Sequence, residues 1–147
     1  GIKSAKPNGV TYTSVINACA YSKHPGDRKD AFEIAFRVFK QMTVKDLRPD
    51  AVTYTCLLNV CRYCLSKTDE KLRFNISKSL FKECSEAGFV DDYVLGALNN
   101  VVTKEQYIHL VGSGEQSSSH LPSDWTRMIP QRLKGKKLVG SNYAKRQ

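Results

Sequence analysis

Apolar side chains recur at helical spacing in two stretches that read almost alike. Tyr12, Val15, Ile16 and Cys19 fall at i, i+3, i+4 and i+7, and Tyr54, Leu57, Leu58 and Cys61 repeat that stripe. A second stripe follows each of these. After the first come Phe32, Ala35, Phe36, Phe39 and Met42; after the second, more sparsely, come Phe74, Leu80, Phe81 and Cys84. Each stripe predicts an amphipathic helix, so the chain reads as successive helix pairs. Pro25-Gly26 within "SKHPGDRK" breaks the first pair, and the charged "LSKTDEKL" forms the matching loop or frayed end in the second. Pro49-Asp50 divides the pairs. Asp50 is placed to cap the helix that follows, as Asn8 and Asp92 are for the first and third pairs.

The likeness between the pairs is literal. "PNGVTYTSVINACAY" from Pro7 aligns with "PDAVTYTCLLNVCRY" from Pro49 at a shift of 42 residues. The same shift sets Asp27 on Asp69, Phe32 on Phe74, Ile34 on Ile76 and Asp50 on Asp92. A period of this size marks a stacked repeat, because one helical hairpin cannot bury its own stripe. The predicted fold is therefore an all-α solenoid of helix-turn-helix repeats. Its parts are an N-terminal segment (1–6), repeat 1 (7–48), repeat 2 (49–90) and a degenerate third repeat or cap (91–112). A linker of flexible composition (113–120) and a basic tail (121–147) complete it. Val94, Leu98, Val101 and Val102 supply the stripe of the third repeat, and "TKEQYIHLV" a short closing helix.

Charge then narrows the partners. The chain of 147 residues carries 23 Lys and Arg against 14 Asp and Glu, a formal net charge of +9. That balance favours polyanions, nucleic acid first and an acidic membrane surface second. No apolar run approaches the length of a membrane span. The N-terminus lacks the charged-then-apolar layout of a signal peptide. Gly1 opens the chain and a repeat begins almost at once, as expected of a piece or processed form of a longer protein.

"VTYT", "AFEIAFRVFKQM" and "LRPDAVTY" together resemble a pentatricopeptide repeat, across about residues 7–95. Each unit is longer than the family's usual repeat, by an insertion between its two helices. The resemblance implies binding of single-stranded RNA in mitochondria or chloroplasts, one base per repeat. The fifth and last residues of a repeat would read the base, and second-position aliphatics of successive repeats would sandwich it. By position these are Thr13 and Asp50 between Val10 and Val52, then Thr55 and Asp92 between Val52 and Val94. A threonine–aspartate pair implies guanine in this family.

Hydrogen-bond chemistry bears on that pairing independently. An ionised carboxylate only accepts, so Asp50 and Asp92 need a base edge that donates. Guanine donates from its ring N–H and amino group, and uracil from its ring N–H. The bland alternative makes both aspartates helix caps and the threonines solvated first-turn residues. Arg132, Lys134, Lys136 and Lys137 in the tail are candidates for phosphate contact.

Other features point away from catalysis and metal binding. Cys61-Arg62-Tyr63-Cys64, with Cys56 nearby, has no second pair at zinc-finger spacing, and buried thiols acting as small hydrophobes are the expectation. Five cysteines, an odd number, suit a reducing compartment. His24, His109 and His120 adjoin no nucleophile or acid, so neither an enzyme nor a bound cofactor is expected. Leu121 and Trp125 read as a lid on the end of the solenoid, with base stacking as the competing role. Two other functions compete: a groove that holds a peptide, and a structural subunit of an organellar ribonucleoprotein whose tail contacts ribosomal RNA.

Overall fold

A computed structural model describes residues 7–22 and 24–133. Among the described residues the regular structure is helical: α1 (Gly9–Ala20), α2 (Arg28–Val44), α3 (Ala51–Cys64), α4 (Glu70–Ala87), α5 (Asp92–Val101) and α6 (Lys104–Val111), with short 3₁₀ turns between and after them. The helices follow one another in pairs, α1–α2, α3–α4 and α5–α6. The predicted α-solenoid is what the chain forms.

The first helices of the pairs form one layer, α1 against α3 and α3 against α5. The second helices lie behind it, α2 on α1 and α3, and α4 on α3 and α5. Central α3 is consequently buried on every side from Thr53 to Cys61, well beyond the single stripe its sequence predicts. Leu57, Leu58, Val60 and Cys61 have no exposed surface. In α1 the burial is narrower. Ile16 and Ala20 are buried, whereas Val15, placed in the stripe by periodicity, is 42 % exposed; among the described residues only α3 lies beside α1 in that layer.

Caps fix where the helices start. Asn8 accepts from the Thr11 N–H, Asp50 from the Thr53 N–H and Asp69 from the Leu72 N–H. The third repeat departs from expectation, since α5 is capped by Asp91, whose carboxylate accepts from the Val94 N–H at 2.8 Å. Asp92 is the first residue inside that helix. Helix α4 runs one residue longer than α2, 18 against 17, and the junction after it, Gly88 to Asp91, is two residues shorter than Lys45 to Asp50, so the 42-residue register slips by one at this point.

Arg73 of α4 is buried and ties three helices together. Its Nε donates to the Val101 carbonyl at 3.2 Å, and its Nη1 donates to Arg62 and Leu65 at 3.3 and 3.2 Å. The C-terminal ends of α3 and α5 are thus both satisfied by one side chain on α4.

Beyond α6 the chain turns back over α4 and α5 as a strap, residues 113–133. Composition predicts a flexible linker over 113–120, but this segment is packed. Tyr107 Oη donates to the Glu115 carbonyl at 2.6 Å, and buried Ser118 donates its N–H to Asp92 Oδ1 at 2.7 Å. Leu121 and Trp125 do pack against the core, and at the α4–α5 junction the indole meets Phe81 edge-on with ring centroids 5.5 Å apart. Backbone bonds from Val90 N–H to Trp125 and from Met128 N–H to Gly88 fasten the strap.

Gly88 ends α4 in the left-handed region at φ 81, and a Cβ there would lie 2.6 Å from Arg127 Cγ. Arg127 in turn donates to the carbonyls of Glu86 and Asp124 at 2.8 and 2.7 Å. Gly88→Ala is expected to cost about 2 kcal/mol, combining left-handed strain with displacement of Arg127. Urea unfolding measures it.

Candidate nucleic-acid interface

The α1–α3 contact opens into a cleft of about 650 Å³. Val10, Thr13, Asn17 and Tyr21 line it from α1 and its C-cap; Arg48, Asp50, Val52 and Thr53 line it from the junction before α3 and that helix's first turn. Val10 is 74 % exposed and Val52 44 %, so two aliphatic side chains stand in solvent on either side of a polar floor.

That floor is a hydrogen-bonded chain. Thr13 Oγ1 lies 3.0 Å from Thr53 Oγ1, which donates to Asp50 Oδ1 at 3.0 Å and accepts from the Asp50 N–H at 3.2 Å. Asp50 Oδ1 also accepts from the Thr53 N–H, completing a capping box. The sequence places Thr13, Asp50, Val10 and Val52 together, and the structure brings all four to this cleft. Thr53 and Arg48 were missed. The spacing Asp50-x-x-Thr53 was a legible signal for Thr53 as the cap's partner, though not for its bond to Thr13.

The second set does not assemble in the same way, and the expectation that Thr55, Asp92 and Val94 line an open site is corrected. Thr55 is buried and its hydroxyl donates to the Ala51 carbonyl of its own helix at 2.8 Å. Asp92 is buried beneath the strap, held by the Ser118 N–H, and Val94 is fully buried. The one-residue slip explains all three. Counted from the caps, Val94 corresponds to Thr53, Tyr93 to Val52 and Asp91 to Asp50. An apolar Val94 offers Thr55 no hydroxyl to meet, so Thr55 turns back to its own backbone.

A family model of the pentatricopeptide repeat domain matches residues 2–63 and again residues 37–76. The chain belongs to the pentatricopeptide repeat family. Comparison with curated proteins gives no match, and comparison with solved structures gives none. The matched segments contain α1 to α3, both sides of the cleft, and enter α4. Pentatricopeptide repeat proteins are a non-catalytic, RNA-binding, helical-repeat family, and the cleft sits between first helices of adjacent pentatricopeptide repeats.

In this pentatricopeptide repeat protein Cys56, Cys61 and Cys84 are buried, and Cys19 and Cys64 half-buried. Burial pushes the Cys61 thiol up to about 12, against the pull of nearby Arg73, which keeps it protonated and unreactive. Among the described residues no group of His, Cys, Asp and Glu is arranged to hold a metal ion, and no helix is long and apolar enough to cross a membrane. Arg132 is exposed in the last described turn; Lys134, Lys136 and Lys137, like the segment 1–6, lie outside the described residues.

Proposed function

We propose that this protein binds single-stranded RNA by seating one unstacked base, guanine preferred, in the α1–α3 cleft, and that it serves RNA metabolism in a mitochondrion or chloroplast. The observation carrying the reading is the pair of solvent-exposed valines flanking a floor of hydrogen-bonding groups. Val10 and Val52 sandwich the base faces, while Thr13 and Asp50 meet its edge. Recognition of splayed bases by stacking and edge contacts is how proteins read single-stranded RNA. A net charge of +9 adds salt-sensitive phosphate attraction, with Arg48 lining the cleft itself.

One stacked base contributes only about 1–3 kcal/mol, so an isolated cleft binds weakly and sequence preference rides on phosphate contacts. The second junction, where the strap covers Asp92, is closed to a base. Asp50→Asn tests the assignment. Asparagine remains a good cap, so the fold is retained, but it can both donate and accept. Fluorescence anisotropy with adenine-rich 12-nucleotide RNAs carrying one central G, A, U or C is expected to favour G for the native protein. In the variant the G-to-A ratio should fall about tenfold, the scale of one edge-recognition pair. Equal, steeply salt-dependent binding to all four RNAs would overturn base readout and leave a charge-driven or protein-binding scaffold.

A further inference from the structure

We infer that Thr53 is a positioning residue that sets the hydrogen-bond polarity of the cleft, making Thr13 an acceptor only. The inference rests on the base-readout reading above and deepens it. A threonine hydroxyl has one proton and two lone pairs. Thr53 Oγ1 spends its proton on Asp50 Oδ1, because an ionised carboxylate cannot donate. It accepts one bond from the Asp50 N–H. Its 3.0 Å contact with Thr13 Oγ1 therefore has one consistent direction, with Thr13 donating and Thr53 accepting. Thr13 is left facing the cleft with lone pairs alone.

Asp50 is constrained to match. Its Oδ1 already accepts twice from Thr53, through the backbone N–H and the hydroxyl, which leaves Oδ2 for a ligand. Two acceptors, on opposite sides of the α1–α3 seam, then face whatever enters. The complementary edge carries two adjacent donors. Guanine has them in its ring N–H and 2-amino group. Uracil has one ring donor flanked by carbonyls, and adenine puts a ring acceptor where a donor is needed. Carboxylate chemistry by itself leaves uracil as an alternative; the fixed direction of the Thr13 bond disfavours it.

The test compares the native protein with Thr53→Val and Thr53→Ser, using the same RNA frame with a single central guanine, inosine, uracil or adenine. Inosine is guanine without its 2-amino donor. The native protein is expected to bind guanine about tenfold more tightly than inosine or uracil, one lost edge contact being worth roughly that much. Thr53→Val frees the Thr13 hydroxyl to donate, so the guanine-to-adenine ratio should fall at least about fivefold, and Thr53→Ser should restore it. A weakened cap lowers stability, read separately by circular dichroism, but leaves a ratio between bases untouched.

An unchanged ratio in folded Thr53→Val, with native guanine preference intact, sinks the polarity argument alone. Should Thr53→Val fail to fold, native discrimination between guanine and inosine decides: none overturns the inference, and a clear loss with inosine supports it. Absence of any base preference in the native protein overturns the readout and the inference together.

Discussion

Arg73→Met is expected to destabilise the protein by about 3–5 kcal/mol, the largest loss among these substitutions. Charge-assisted hydrogen bonds contribute about 1.5–3 kcal/mol each, and Arg73 makes three, to the carbonyls of Arg62, Leu65 and Val101. Part of that sum is offset, because removing the cation also removes its desolvation cost. Burial is the main cause that pulls the guanidinium below its ordinary pKa, while arginine's margin keeps it charged. Methionine replaces the stem and none of the donors, so the ends of α3 and α5 lose their shared partner. Lysine carries a single point of contact in place of a planar fork and should recover only part of the loss. Urea unfolding of the three proteins checks the order, arginine above lysine above methionine.

Asp91→Asn should do the opposite and stabilise the fold by about 1–3 kcal/mol at pH 7. Burial, reinforced by the neighbouring Asp92 charge, pushes the Asp91 carboxyl from 3.8 up to about 6, against the pull of its backbone hydrogen bonds. A folded carboxyl that holds its proton to higher pH than the unfolded chain favours folding at low pH. Its contribution is present in full below the unfolded value and disappears as pH rises through about 6. Asparagine caps a helix as well as aspartate does and has no charge to desolvate. Thermal melts from pH 4 to pH 8 should therefore show native stability losing this contribution across that window, with the variant flatter and above it at neutral pH. A variant less stable than native at pH 7 would mean that the cap depends on the charge.

Much of this architecture is written locally, in stripes and caps. The helical spacing of Tyr54, Leu57, Leu58 and Cys61, the break at Pro25-Gly26 and the caps at Asn8 and Asp50 each act within a few residues, and each is where the pattern puts it. The errors begin where one element must be counted against another. The 42-residue repeat holds from α1 to α3 and from α2 to α4, then α4 ends on left-handed Gly88 and the next junction is shorter. A single residue there moves the cap from Asp92 to Asp91 and sends Thr55 and Val94 to other environments. Strap packing was hidden for another reason. "GSGEQSSSH" folds down through backbone donors such as the Ser118 N–H, and every residue except proline has one. Arg73 was missed because a basic residue on a surface-patterned helix announces nothing about three carbonyls converging on it.

The strap also changes how the protein comes apart. In a plain stack each unit is held to its neighbours by helix–helix interfaces alone. Helix α5 has a further fastening, clasped between α3 and a returning chain pinned at Asp92, Val90 and Gly88. The strap works as a stop sewn into a zip: α5 peels from α3 only after the returning chain has been lifted off. Among the described residues the seam between α1 and α3 carries no such stop, and a base bound across it would supply one.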